Sequence, residues 1–175
     1  YNKRIMPAGW RFESFSDIPG SKNVFMAAAW AVVAAVLPQI DNALSAVAEI
    51  SVAFLFVFSV VFIRSAMSDM LDIQSDKLIG RETIPVLIGK DRTQKLLKLM
   101  LALLLVLLLA AYPLGWSSSV NVVLLICLFY IWICFRLCDR RSGLSGIVLE
   151  GLLETSYVVA GTSALLWLVY YKTAT

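Results

Sequence analysis

The chain has 175 residues, a formal net charge of +3 and a mean hydropathy of +0.83, and 60% of its residues are hydrophobic. This composition is too apolar for a soluble domain of this size, so we expect an integral membrane protein with a single domain over residues 1–175. The sequence contains no histidine, which excludes metal sites that need an imidazole ligand.

Residues 1–22 combine basic, aromatic and small side chains with Pro7, Pro19 and Gly20. This composition predicts a loop. Lys22 lies at the mouth of the apolar segment that follows. It either extends to the lipid headgroups or contacts a phosphate of a ligand.

Five apolar segments are long enough to cross a membrane, which takes about 20 residues. They run approximately over residues 23–40, 50–67, 96–116, 120–137 and 147–171. If these spans alternate in direction, fourteen of the fifteen Lys and Arg residues lie on one side, and only Lys172 lies on the other. The positive-inside rule makes the basic side cytoplasmic. The net charge therefore reflects topology, and we expect no nucleic acid partner.

Three carboxylates, Asp69, Asp72 and Asp76, directly follow the second span. On a continuous helix they would fall at roughly 0°, 300° and 340°, within one face. Like charges so close together repel, which indicates a bound cation. An all-carboxylate cluster suits Mg²⁺, which usually keeps positions for phosphate oxygens. The sequence therefore predicts a magnesium site for a phosphorylated or diphosphorylated ligand, on the cytoplasmic side.

Further features surround this acidic stretch. Gly80 is expected to end the acidic helix, and Thr83 with Pro85 predicts an extended turn. Additional positive charge for an anion comes from Lys77, Arg81, Lys90 and Arg92.

In the fifth span, Glu150 and Glu154 stand four residues apart. Favourable interaction with the helix dipole explains Glu150. Glu154 lies deeper, and carboxylates within a membrane usually face a cavity, so it is a candidate pocket residue.

The acidic stretch resembles the second aspartate-rich motif of the UbiA family of intramembrane prenyltransferases. The loop that contains Tyr1 and leads to Lys22 also resembles the family's connection into its second half. The matching motif residues are Asp69, Asp72, Asp76, Gly80, Thr83, Pro85, Val86 and Gly89.

The resemblance implies an all-α, polytopic transmembrane bundle whose five spans correspond to the last five helices of a nine-helix fold. It implies Mg²⁺-dependent transfer of an isoprenyl group from a prenyl diphosphate to an aromatic acceptor similar to 4-hydroxybenzoate, as in quinone biosynthesis, or to another lipophilic acceptor. Asp69, Asp72 and Asp76 would bind the metal, with Asp72 and Asp76 catalytic, and Lys77 and Arg81 would neutralise the diphosphate. Arg64 has no firm role, because it lies about 140° around the helix from Asp69.

The family's first aspartate-rich motif has no match in this sequence. We therefore expect a fragment that is inactive alone and whose partners include the missing amino-terminal helices, the bilayer, the prenyl diphosphate and the acceptor. The expected location is the bacterial inner membrane.

Two alternatives remain. The CDP-alcohol phosphotransferases also depend on aspartates within a membrane, but their signature places Gly after the second Asp, where this chain has Ile73. A transporter or scaffold with a solvated acidic turn is the non-catalytic alternative.

Overall fold

A computed structural model describes residues 20–42, 47–116, 120–139 and 146–174. The regular structure within these ranges is helical throughout. Most of the predicted amino-terminal loop, with Tyr1, lies outside the described residues, as does the basic pair Arg140 and Arg141. The helices are α1 (Ser21–Ala31), α2 (Val47–Leu71), α3 (Ile73–Ile79), α4 (Ile84–Ile88), α5 (Lys90–Ala111), α6 (Val120–Asp139) and α7 (Gly146–Ala174).

Four segments in the described part of the chain are long and apolar enough to span a membrane. They are Ser21–Ile40, in which α1 continues through a π-helical turn and the start of a 3-10 turn, and helices α2, α5 and α7. The remaining predicted span, the fourth (residues 120–137), falls on α6, whose apolar part, Val123–Cys138, is shorter. The predicted all-α polytopic bundle is confirmed, and the protein is an integral membrane protein.

Helix α2 lies at the centre of the described bundle. It packs against α1, α5 and α7, and α6 lies between α5 and α7. Over residues 52–63, α2 is apolar apart from Ser59, so this part can be covered on several sides. Phe56, Val60, Ile63 and Met67 are buried in the core.

Helices α6 and α7 are joined by polar side chains where the two helices meet. The Tyr130 hydroxyl donates to the Leu152 carbonyl oxygen at 2.8 Å and also contacts Thr155 Oγ1. The Cys127 thiol points to the Ser156 carbonyl oxygen at 3.7 Å. These contacts run in opposite order along the two helices, so α6 and α7 are antiparallel neighbours.

The chain between α2 and α5 differs from the prediction in two respects. The helix through the three aspartates is not continuous: α2 ends at Leu71, Asp72 has φ −93° and ψ 8°, and α3 begins at the next residue. The predicted extended turn is confined to Thr83, because Ile84–Ile88 form the short helix α4. Proline is compatible with the first turn of a helix, where the missing N–H would have no partner. Gly80 ends α3 in a left-handed conformation, as predicted.

Candidate functional site

A cavity of about 570 Å³ lies where the amino-terminal end of α1 meets the carboxyl-terminal end of α2. We call this end of the molecule the basic end, since Lys22, Arg81 and Lys90 lie there. The cavity is formed by side chains from α1, from the last two turns of α2, from α3 and from the loop before α4. Its polar lining residues are Ser21, Lys22, Asn23, Arg64, Ser65, Ser68, Asp69, Asp72, Asp76, Arg81, Glu82 and Thr83.

Asp69 is held in place by α1. Asn23 is buried and donates from Nδ2 to Asp69 Oδ2 at 2.6 Å. The Asn23 Oδ1 atom accepts a hydrogen bond from Ser65 Oγ at 2.9 Å. One amide side chain therefore connects two residues of α2 that are one turn apart, and it fixes the direction of the Asp69 carboxylate.

Asp72 and Asp76 reach the same cavity from a different part of the backbone. Asp72 occupies the break between α2 and α3 and is exposed. Asp76 is buried, and its Oδ2 accepts a hydrogen bond from Thr83 Oγ1 at 3.3 Å. Arg81 approaches its Oδ1 at 3.9 Å. The turn at Gly80 brings Arg81 and Thr83 back onto α3 and so places them beside Asp76.

The predicted cations separate into two groups. Lys22 and Arg81 both line the cavity, Lys22 from α1 and Arg81 from the loop before α4. Lys77 lies on α3 and is exposed, and it is not among the lining residues. Arg64 does line the cavity, although the helical angle between it and Asp69 gave no reason to expect this. The Arg64 side chain is long enough to reach the cavity from a different face of α2 than Asp69.

Glu154 is connected to the cavity indirectly, because it contacts Arg64, which lines the cavity. The two side chains form an ion pair that joins α2 to α7, and the Arg64 guanidinium lies 5.6 Å from the centre of the Tyr157 ring. One turn away, Ser68 Oγ points to Glu150 Oε1 at 3.5 Å. Both carboxylates of α7 therefore face the cavity wall on α2, but neither lines the cavity.

The donor atoms of this cavity suit a hard cation, because carboxylate, hydroxyl and amide oxygens are the ligands that Mg²⁺ prefers. In the described part of the chain, no three carboxylates or thiols converge closely enough to hold one ion by themselves. Magnesium is usually held by one or two carboxylates together with water and phosphate oxygens. The residues present therefore fit Mg²⁺ that is bound jointly with a phosphorylated ligand.

Sequence reasoning missed Asn23, Ser65 and Ser68 as parts of the site. Asn23 could have been noticed in the sequence, because it is an amide at the start of an apolar helix. A buried amide needs a hydrogen-bond partner. Its pairing with Asp69 depends on how α1 packs on α2, and no local pattern contains that information.

The fold and the cavity define a class of protein: an integral membrane protein with a carboxylate-lined site for a charged ligand at one end of an apolar bundle. Residues 19–149, about three quarters of the chain, match the UbiA prenyltransferase family. The chain belongs to that family, which confirms the resemblance found in the sequence. No curated protein and no solved structure gives a significant match.

Proposed function

We propose that this protein transfers an isoprenyl group from a prenyl diphosphate to an aromatic acceptor similar to 4-hydroxybenzoate, or to another lipophilic acceptor, and that the reaction depends on Mg²⁺. The observation that carries this proposal is the joint lining of one cavity by Asp69, Asp72 and Asp76 with the cations Lys22 and Arg81, in a member of the UbiA family. Membership alone supports prenyl transfer in general terms.

The proposed roles follow from where the side chains lie. Asp72 and Asp76 are the proposed catalytic carboxylates, and with Asp69 they would hold Mg²⁺ against the diphosphate. Bound there, the metal would neutralise negative charge on the diphosphate as it leaves. Lys22 and Arg81 bind the diphosphate directly, because they approach the cavity from α1 and from the loop before α4. Lys77 is proposed to contribute at longer range, from outside the lining.

This arrangement would support the following reaction. The bond between the allylic carbon and the diphosphate oxygen breaks, and the electron pair leaves with the diphosphate. The allylic cation then bonds to the acceptor, which releases a proton. Fixed positive charge near the departing oxygens lowers the barrier. Water must be kept away from the cation, so we place the isoprenyl chain against the apolar surfaces of α1, α2 and α7.

Glu154 is proposed as a positioning residue for Arg64. A guanidinium that is largely buried in an apolar bundle requires a counter-charge, and Glu154 supplies it from α7. Arg64 itself lines the cavity, so the ion pair holds a positive charge at the cavity wall. This refines the expectation that Glu154 itself belongs to the pocket.

The printed sequence contains one aspartate-rich motif, and the family resemblance implies two. A diphosphate held from one side should bind weakly, so we propose that the 175-residue chain binds prenyl diphosphate without catalysing transfer alone. The basic end, with the cavity, is proposed to face the cytoplasm, since the described basic residues concentrate there.

The test measures binding of labelled farnesyl diphosphate to the purified chain in nanodiscs, with and without Mg²⁺. Asp72→Asn combined with Asp76→Asn should abolish the Mg²⁺-dependent part of the binding. Asp91→Asn is the matched control, because Asp91 is an exposed carboxylate in the first turn of α5 and does not line the cavity.

Two results would overturn the proposal: binding that does not respond to Mg²⁺, or Mg²⁺-dependent binding that survives in the double variant. A parallel assay with 4-hydroxybenzoate as acceptor examines transfer. Product formed by the chain alone would show that one motif is sufficient, and would contradict the expectation of inactivity without affecting the assignment of the diphosphate site.

A further inference from the structure

Two short helices at the basic end, α3 and α4, expose large apolar side chains. Leu78 and Ile79 lie at the carboxyl-terminal end of α3 and are 89% and 67% exposed. Leu87 and Ile88 lie at the end of α4 and are 52% and 40% exposed. We call these four residues the outer apolar face. They do not line the aspartate cavity.

Each of the two helices turns its other side toward the bundle. Asp76 of α3 and Pro85 of α4 are buried. Leu78 and Leu87 each come two residues later, which is about 200° around a helix, so they point away from the bundle. Large apolar groups grouped at a surface mark a contact with a membrane or with another molecule.

The outer apolar face lies at the level of the lipid headgroups. A helix crosses the hydrocarbon core in about 20 residues, and that length, counted back from Ala111 at the end of α5, reaches Arg92. Leu87 and Ile88 lie about one turn before this position. The polar layer on each side of the core is about 5–7 Å thick, so these two side chains fall within it. Helix α3 follows directly on the end of the span α2.

Exposed cations flank the outer apolar face. They are Lys77 on α3 and Lys90, Arg92 and Lys95 on α5, and two exposed carboxylates, Glu82 and Asp91, accompany them. Within the described part of the chain, none of the four cations takes part in an ion pair. Lys90 and Arg92 belong to the first turn of α5, where the helix dipole disfavours positive charge. An anion outside the helix, next to this turn, would offset that cost.

We propose that the outer apolar face is inserted into the headgroup layer of an anionic leaflet, with lipid phosphates next to Lys90 and Arg92. The four apolar side chains contact the upper part of the acyl chains, as in other amphipathic segments that lie in the membrane interface. The leaflet then supports, from outside, the segment that carries Asp76. This surface is separate from the diphosphate cavity, so the proposal does not depend on the proposed function.

Charge complementarity selects this occupant. Water would leave the apolar side chains hydrated. A zwitterionic leaflet would cover them but would leave the excess of positive charge uncompensated. An anionic leaflet satisfies both, because its phosphates and its acyl chains lie at the two depths where the segment places its cations and its apolar groups. Basic residues close to a membrane surface are attracted to anionic lipid for this reason.

The test uses a dansyl-bearing amino acid that replaces Leu78 or Leu87, one at a time, in the chain reconstituted in nanodiscs. Lipids brominated near the start of the acyl chain quench a probe in the interface, and iodide quenches a probe in water. Both positions should be quenched by brominated lipid and only weakly by iodide. The same amino acid at Glu82 is the matched control, because Glu82 is exposed in the same segment but lines the cavity, and it should respond to iodide.

The preference for anionic lipid is measured in discs with equal amounts of phosphatidylglycerol and phosphatidylcholine, of which only one is brominated. One net positive charge near an anionic leaflet corresponds to about a fivefold preference, and Lys90 and Arg92 with Asp91 between them carry one. Brominated phosphatidylglycerol should therefore be about fivefold enriched next to the probe at position 87. Lys90→Gln with Arg92→Gln should remove this enrichment. Lys172→Gln, which changes an exposed cation at the other end of the bundle, should keep it.

Three results would overturn the proposal. Quenching by iodide and not by brominated lipid at both positions would place the outer apolar face in water. Protection from both quenchers would show that protein covers it. Equal quenching by the two brominated lipids, without the charge substitutions, would show that the cations do not select the leaflet.

Discussion

Asn23 of α1 donates a hydrogen bond of 2.6 Å to Asp69 of α2, and it accepts one of 2.9 Å from Ser65 on the same helix. The direction of one carboxylate in the candidate site is therefore fixed by a neighbouring helix. This contact joins the packing of α1 on α2 to the chemistry of the cavity.

The first prediction concerns Asn23. Asn23→Leu should leave Ser65 and Asp69 without their partner and should lower the free energy of unfolding by about 1–3 kcal/mol, as expected for buried polar groups that lose a hydrogen bond. Thermal unfolding in detergent checks this. Mg²⁺-dependent binding of farnesyl diphosphate should weaken as well, because Asp69 becomes free to turn. An unchanged midpoint with unchanged binding would contradict the contact.

The second prediction concerns Thr83, whose hydroxyl donates to Asp76. Thr83→Val keeps the shape and removes the donor, so it should weaken diphosphate binding several-fold, in line with the loss of one hydrogen bond to a charged group. Thr83→Ser keeps the donor and should restore most of the binding. Titration calorimetry with both variants separates the effect of the hydroxyl on diphosphate affinity from the effect of side-chain volume. Equal losses of affinity in the two variants would show that packing, and not the hydrogen bond, is responsible.

The third prediction compares Arg81 with Lys77. Arg81 lines the cavity beside Asp76, and Lys77 does not line it. Arg81→Gln should therefore reduce the affinity for a diphosphate more than Lys77→Gln does, although each removes one positive charge. The ionic-strength dependence of binding provides a second measurement, because exposed charges at longer range are screened more strongly by salt. An equal effect of the two substitutions would assign Lys77 a direct contact.

The fourth prediction concerns the Arg64–Glu154 ion pair between α2 and α7. A double-mutant cycle with Arg64→Gln and Glu154→Gln should give a coupling free energy of roughly 0.5–1 kcal/mol, a modest value because about half of the Glu154 side chain is exposed. Additive losses would show that the pair contributes nothing. Diphosphate binding should fall in Glu154→Gln also, since Arg64 then loses the partner that positions it.

The fifth prediction concerns the contact between Gly20 and Ile84. Gly20 has φ +76°, and a Cβ atom built there would lie 2.5 Å from Ile84 Cγ1. Gly20→Ala should destabilise the protein by about 1–2 kcal/mol from the left-handed backbone alone, and the clash should add to this. Ile84→Ala in the same chain should relieve the clash but not the backbone strain. Thermal midpoints of the two single variants and the double variant measure both parts.

The spans and the acidic site could be predicted from local sequence patterns. The bend at Asp72 and the choice of cations that line the cavity could not. Asp69, Asp72 and Asp76 could be grouped from their spacing, because two turns of helix bring them to one side whether or not the helix bends at Asp72. The bend itself has no strong sequence signal, since neither Asp72 nor Ile73 disfavours a helix as strongly as Gly or Pro does. Which cation would line the cavity depended on the turn at Gly80, which returns Arg81 to the site and leaves Lys77 outside.

The break at Asp72 has a mechanical consequence. Asp69 belongs to a 25-residue helix that is fixed by its neighbours on three sides, whereas Asp76 belongs to a seven-residue helix attached to it through one non-helical residue. The separation of the two carboxylates is therefore set by the backbone torsions of Asp72 together with the contacts that hold α3 against α2 and α4. The backbone hydrogen bonds continue across the break, from the Asp72 N–H to the Ser68 carbonyl oxygen at 3.2 Å and from the Asp76 N–H to the Asp72 carbonyl oxygen at 2.9 Å. The change of direction therefore turns Asp76 toward Thr83 while α3 stays attached to the end of α2.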